Sequence, residues 1–160
     1  MRLILDSLID TEALGRAFAA CCDPGKPLPP LLMRGQLGAG KTTFVRGLVA
    51  ALPGSENAEV SSPSFNILNL YPTVPEVGHF DLYRTEGLGF GPDLEEVLLD
   101  PARFCVVEWA EYLPDASLPE EFIAMTWTID DQGRHVDLAA HGSSARALLD
   151  CVRAALPTFR

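Results

Sequence analysis

The run Met33–Leu48 reads MRGQLGAGKTTFVRGL and contains the spacing Gly35-x-x-x-x-Gly40-Lys41-Thr42. This spacing leaves a chain few ways to fold. Glycines let a backbone curl with its N–H groups turned inward. The curl is useful only where a strand feeds it and a helix leaves it, so that N–H groups and the positive helix end converge on one anion. Both flanks are present. PLLMRG, before the loop, is a short apolar strand. KTTFVRGLVAAL, after it, carries Phe44, Val45, Leu48, Val49 and Leu52 at helical spacing and stops at Pro53-Gly54. A glycine turn that merely caps a helix needs neither Lys41 nor Thr42. The pattern therefore predicts a P-loop, with phosphates lying against Gly35, Leu37, Gly38, Ala39, Gly40, Lys41, Thr42 and Thr43. Lys41 is expected at the β- and γ-phosphates and Thr42 on Mg²⁺.

The rest of the chain supplies a sheet around that unit. RLILDS reads as a strand, and DTEALGRAFAACC as a helix with Asp10 or Thr11 as its N-cap. FNILNLY and EVGHFDLY form a hairpin whose turn holds Pro72 and Pro75. GLGFGPDL is a glycine-rich loop, DLEEVLLD a short helix, and RFCVVEWAEYL an apolar strand ending on a carboxylate. EFIAMTWTIDDQGRHVDLAAHG is a second hairpin turning at Asp131-Gln132-Gly133. SSARALLDCVRAAL is a closing helix capped by Ser143 or Ser144. The expected fold is α/β: a three-layer P-loop arrangement whose mixed sheet includes antiparallel hairpins. With 160 residues, no repeat and no long linker, the chain fits one domain spanning 1–160.

Composition narrows the function classes. The net charge is −10, from 22 acids against 12 bases, and only Lys26 and Lys41 are lysines. Such a chain offers no basic stripe for nucleic acid, and any RNA in its biology is expected to be held by a partner. Acids within the first ten residues and the absence of a long apolar run read against a signal peptide or a membrane span, so the expected location is the cytoplasm. Cys21, Cys22, Cys105 and Cys151 form no C-x-x-C pair. They read as small apolar residues in a reducing compartment rather than a zinc site.

P-loop chemistry also requires a carboxylate near the metal and a group that orients water. Glu108 ends the apolar run Phe104–Val107, at the strand edge where open α/β sheets bind ligands, and is the first candidate for the metal. Asp81, inside HFDLYR, is the second acid at metal or water, or else a solvated strand residue. Ser61, Ser62 and Ser64 around Pro63 form either a polar turn or a switch loop sensing the γ-phosphate. His79 is either a packed strand histidine or a site residue. Arg84 is either a surface ion-pair partner or a cation near the phosphates. Trp109 is a core residue or sits at the mouth of the site.

Taken in order, DTEALG, GQLGAGKTTFVRGL, VSSPSFNIL, HFDLYR and VVEWAEYLP make the chain resemble the bacterial TsaE (YjeE) family over most of residues 10–114. The S-P-[ST]-F block, H-x-D-x-Y-R and the Glu-Trp pair carry more of the resemblance than the widely shared P-loop. Gln36, where an acid is common in the family, and Ser64, in place of threonine, depart from the pattern. The resemblance implies a small cytoplasmic ATPase that works with TsaD and TsaB in making threonylcarbamoyladenosine on tRNA, with slow, partner-stimulated hydrolysis. It also implies roles by position: Lys41 and Thr42 for phosphate and Mg²⁺, residues 61–65 as a switch-like loop, Asp81 as the hairpin acid, Glu108 with Trp109 as a Walker-B-like pair, and Thr11 near adenine.

Three rivals are weaker. A small kinase needs a basic lid, whereas RTEGLGFGPDLEE carries one arginine against several acids. A GTPase typically carries N-K-x-D, and neither lysine has that setting. A switch module without hydrolysis would leave two well-placed carboxylates unexplained.

Overall fold

The computed structural model describes residues 1–86, 90–131 and 133–156. Gly87–Gly89 of the expected glycine-rich loop and Gln132 of the second hairpin turn lie outside those residues. The elements are β1 (Arg2–Leu5), α1 (Leu8–Ala20), β2 (Leu31–Gly35), α2 (Lys41–Ala50), β3 (Leu68–Tyr71), β4 (Glu76–Asp81), α3 (Pro92–Leu99), β5 (Arg103–Glu108), β6 (Phe122–Asp130), β7 (Gly133–His141) and α4 (Ser143–Ala155). Short 3₁₀ turns at Ser55–Asn57, Ala110–Tyr112 and Asp115–Ser117 link them.

One seven-stranded sheet runs in the order β1-β7-β6-β2-β5-β4-β3. Its centre, β6-β2-β5-β4, is parallel, while β3 on one side and β7 and β1 on the other pair antiparallel. Central parallel strands are covered on both faces, so their sequences are continuously apolar. Alternation then sorts the side chains. Leu31, Met33, Phe104 and Val106 point to the face covered by α1, α2 and α4, whereas Leu32, Cys105 and Val107 join Leu98 of α3 and Leu113 on the other. On the first face, Phe44 stands edge-on between Phe18 and Trp127, with ring centroids 5.4 and 5.9 Å away. The mixed sheet with antiparallel hairpins agrees with the sequence reading in type and order.

Helix starts differ from it. Helix α1 begins at Leu8, and its N-cap is Ser7, not Asp10 or Thr11. Asp10 instead completes a capping box: its N–H donates to Ser7 Oγ at 3.1 Å and its carboxylate accepts the Ser7 N–H at 2.9 Å. Thr11 lies a turn inside, fully buried, donating to the Ser7 carbonyl at 3.2 Å. The earlier start was hidden because Leu8 and Ile9 are exposed and fall outside the apolar stripe. Helix α4 likewise has Gly142 at its N-cap rather than a serine. Glu121, ahead of β6, closes that end from outside, accepting the Ser143 and Ser144 N–H groups and hydroxyls. These bonds, the Ser144 hydroxyl foremost, hold the Glu121 carboxyl below its usual pKa. Strand β3 begins later than FNILNLY implied, because Asn66 and Ile67 turn back onto the Pro63 carbonyl and Ile67 takes a φ of 67°.

Cysteine usage also differs. Cys21, at the end of α1, and Cys151, in α4, form a disulfide across 130 residues, so the reading of all four as free thiols is overturned for this pair. The reason is tertiary: the antiparallel β6–β7 hairpin returns the chain so that α4 lies beside α1, which no local spacing reveals. Cys22 and Cys105 are free, and burial pushes both thiols up to about 12.

Among the described residues no helix is long and apolar enough to cross a membrane. The crossing of α1 and α2 depends on reciprocal glycines: a Cβ on Gly15 would strike the Phe44 carbonyl, and one on Gly47 the Glu12 backbone, with Cα at 2.6 Å. Gly47→Ala is therefore expected to lower stability by about 1–3 kcal/mol, despite the ~1 kcal/mol by which alanine favours a helix; urea unfolding checks this. Alkylation of the native, oxidised chain near pH ~8 should add no label, because Cys22 and Cys105 stay protonated there. Unfolding without reductant should add two labels and unfolding with reductant four, as counted by mass.

Candidate functional site

Three neighbouring parallel strands end at one edge of the sheet. Strand β2 runs into the glycine loop, β5 ends on Glu108 and β4 on Asp81, with Asp81 level with Glu108 and Met33 level with Glu108 in the pairing register. The crevice beyond the carboxyl ends of parallel strands is where open α/β sheets take ligands. Here it is a cavity of about 210 Å³.

The loop's shape follows from its glycines. Gly35, Gly38 and Gly40 have φ of 135°, 78° and 109°, and Gly40 in the left-handed region is the N-cap of α2. A Cβ at Gly35 would also strike the Trp127 carbonyl of β6, so close approach as well as dihedral demands glycine. Lys41 opens α2 with only 4% of its surface exposed. Its ammonium donates to the Gly35 and Gln36 carbonyls at 2.5 and 3.0 Å and lies 4.2 Å from the centre of the Trp109 ring. Burial lowers its pKa, and the negative charges of Glu108, Glu111 and Asp81 oppose that fall.

Beside it, the Thr42 hydroxyl donates to Glu108 Oε1 at 2.8 Å. His79 Nε2 reaches the same oxygen at 2.9 Å, and both His79 and Glu108 are buried. Asp81 accepts the Tyr83 N–H at 2.9 Å on Oδ1 and a short hydrogen bond from the Ser62 hydroxyl on Oδ2. Trp109 holds a left-handed φ of 58°, which turns the chain out of β5, and its ring packs with Tyr83 and Tyr112 at 4.9 and 6.3 Å.

The residues singled out from sequence divide accordingly. Leu37, Gly38, Ala39, Gly40, Lys41, Thr42 and Thr43 line the cavity together with Ser62, Asp81, Glu108 and Trp109. Gly35 lies beneath it, touching through its carbonyl to Lys41. Ser64 belongs to the turn after Pro63 and is not a lining residue. Thr11 sits behind the wall, its hydroxyl 3.5 Å from Arg134 Nη1. Arg84 stacks on the exposed Phe65 ring at 4.5 Å, a role neither sequence alternative contained. His79 is a buried member of the acid cluster.

Two lining residues carried no sequence signal, Leu8 and Arg134. Leu8 preceded the apolar stripe of α1. Arg134 is an isolated arginine in a hairpin, brought over the loop only because β7 lies two strands from β2; its Nη2 stands 3.5 Å from the Gly38 carbonyl.

A strand, a left-handed glycine loop and a helix bearing a buried lysine, set in a parallel-centred sheet, define a P-loop α/β protein. Comparison supplies the family. The model for "Threonylcarbamoyl adenosine biosynthesis protein TsaE" matches residues 5–136, and the chain belongs to the TsaE family. Relatives described as tRNA threonylcarbamoyladenosine biosynthesis protein TsaE include that of Rickettsia felis, 32% identical with 98% of this chain and 89% of the relative covered. That of Bacillus subtilis is 32% identical, with 88% and 86% covered. The crystal structure of Bacillus subtilis YdiB superposes with a TM-score of 0.75 at 28% identity, covering 96% of this chain and 94% of the other.

Lys41→Met keeps the stem that fills the loop and removes its charge. It is expected to leave the thermal midpoint at or above that of the parent, because the cost of burying the ammonium is gone. A melting curve checks this.

Proposed function

We propose that the cavity binds ATP with Mg²⁺, that the chain hydrolyses it slowly alone, and that a TsaD–TsaB complex stimulates it in support of threonylcarbamoyladenosine formation on tRNA in the cytoplasm. The observation that carries this reading is the Thr42–Glu108 contact of 2.8 Å beside Lys41, at the end of a left-handed glycine loop. It joins a phosphate cradle to a carboxylate in one cluster.

The donor set fits the metal. Thr42, Glu108 and Asp81 offer hard oxygens, and magnesium is commonly held by one or two carboxylates with water and substrate phosphate rather than by a protein cage. When bound, Mg²⁺ neutralises charge on the β- and γ-phosphate oxygens. The chain's own groups do the rest. The N–H groups of residues 37–43 wrap the phosphates, reinforced by the N-terminus of α2. Lys41 exchanges its carbonyl partners for phosphate oxygens, a transfer from one set of acceptors to a stronger, charged one. Glu108 holds the metal, and Asp81 holds metal or water. Ser62, bonded to Asp81, belongs to the 61–65 loop that meets the γ-phosphate. Trp109 and Arg134 flank the nucleotide, with Thr11 behind Arg134. A net charge of −10 suits docking on a protein and leaves RNA to the partner.

The test is ATP hydrolysis by the chain alone and with a TsaB–TsaD pair. Stimulation is expected, with Glu108→Ala lowering the stimulated rate by about 100-fold or more, the scale of losing one transition-state charge interaction. A pair that leaves the rate unchanged, while a nucleoside or sugar raises it, would transfer the cavity to a kinase.

A further inference from the structure

Behind the cavity wall a line of buried polar atoms runs away from Glu108. His79 Nε2 is 2.9 Å from Glu108 Oε1, His79 Nδ1 is 3.2 Å from the Tyr71 hydroxyl, and that hydroxyl is 3.1 Å from the Ser61 carbonyl. His79 has no exposed surface and Tyr71 only 4%. Both lie on the β3–β4 hairpin, His79 facing into β5 and Tyr71 at the end of β3. The next residue of the same loop, Ser62, is bonded to Asp81. One dipeptide thus reaches both carboxylates, Asp81 directly and Glu108 through two interposed side chains.

The hydrogen inventory gives this line a direction. Glu108 as a carboxylate only accepts, so the ring presents Nε2–H to it, and a neutral ring then offers Nδ1 as an acceptor. The Tyr71 hydroxyl has one proton and two acceptors within reach, His79 Nδ1 and the Ser61 carbonyl. Serving one weakens the other; the Ser61 carbonyl, on an exposed residue, also accepts from Asn69 Nδ2 at 3.3 Å, whereas buried His79 Nδ1 has the Tyr71 hydroxyl facing it.

From this geometry, and resting on the nucleotide reading above, we propose that Tyr71 and His79 are positioning residues that couple the 61–65 loop to Glu108. In this proposal Ser62, which already lines the cavity beside Asp81, exchanges that carboxylate for the γ-phosphate as the loop closes. The Ser61 carbonyl moves with it and releases the Tyr71 hydroxyl to His79 Nδ1. The ring is then held at both nitrogens, and Nε2–H fixes the Glu108 carboxylate where Thr42 and the metal need it. Loop closure therefore tightens the acid that binds the metal. The loop's return lets the ring and the carboxylate relax together.

Tyr71→Phe keeps the ring and deletes the hydroxyl. His79→Gln keeps an amide donor that reaches toward Glu108 but loses the acceptor facing Tyr71. The measurement is nucleotide affinity by calorimetry with and without Mg²⁺, together with hydrogen exchange of the 60–67 backbone, for the parent, both variants, His79→Ala and Glu108→Ala. Tyr71→Phe is expected to leave metal-free ADP affinity unchanged and to cut the Mg²⁺-dependent gain with an ATP analogue by about tenfold, the scale of one buried hydrogen bond. The protection that the ATP analogue and Mg²⁺ confer on residues 60–67 should fall with it. In the partner-stimulated reaction kcat should drop with KM unchanged. His79→Gln should keep more of the metal-dependent gain than His79→Ala. Adding Tyr71→Phe to His79→Gln should change little further, because the link is already cut. A full Mg²⁺-dependent gain in Tyr71→Phe, while Glu108→Ala loses it, would overturn the relay and leave the nucleotide reading standing. A full gain in Glu108→Ala would overturn the metal role of Glu108, and the relay with it.

Discussion

A lysine ammonium almost wholly withdrawn from water has to be compensated, and around Lys41 the structure is arranged to do so. Two carbonyls of the glycine loop accept from it, the face of Trp109 covers it, and the charges of Glu108, Glu111 and Asp81 surround it. Each compensating group imposes its own condition. The carbonyls, those of Gly35 and Gln36, belong to a loop in which Gly35, Gly38 and Gly40 all take positive φ. Trp109 reaches the ammonium only because it turns in the left-handed region immediately after β5. The carboxylates are near only because β4 and β5 run parallel to β2 and end at its level. The buried charge thus ties loop conformation, strand order and a strained tryptophan into one requirement.

The same requirement explains how the cavity is supported from behind. Strands β4 and β5 present their acids outward to the cavity edge, and the layer beneath holds them by hydrogen bonds rather than by apolar packing. Thr42 and His79 meet on one oxygen of Glu108, while Ser62 and the Tyr83 N–H take the two oxygens of Asp81. Charged groups gathered this closely need donors on most of their lone pairs, and those donors come from four separate segments. Of these donors, Thr42 and His79 belong to α2 and β4, whereas Ser62 lies in the connection that precedes β3.

Other parts serve the sheet rather than the cavity. The Gly15–Gly47 crossing brings α1 within backbone distance of α2. That places Leu8 and Thr11 beside the glycine loop and lets Arg134 reach both. The Glu121 cap and the Cys21–Cys151 disulfide secure α4, which closes the face opposite α3. These contacts are long in sequence and short in space, and their residues look ordinary when read one at a time.

What the sequence determined by itself is what local chemistry can encode. The glycine spacing with its lysine and threonine, the apolar runs delivering strands to Gly35, Asp81 and Glu108, and the hairpin turns are all statements about neighbours in the chain. They made the α/β class, the loop and the two acids legible. What only the tertiary structure decided depends on which segments meet. Ser7 rather than Asp10 caps α1 because exposed Leu8 and Ile9 contribute no periodicity. His79 joined Glu108 because parallel pairing sets β4 beside β5 in one register and not another. Arg84 turned to Phe65, and Arg134, unremarked in sequence, came to the loop. Cys21 found Cys151 because an antiparallel hairpin returned the last helix to the first. A side chain's chemistry is written at its own position, but its partner is chosen by strand order and helix crossing, which result from burying the whole apolar surface at once.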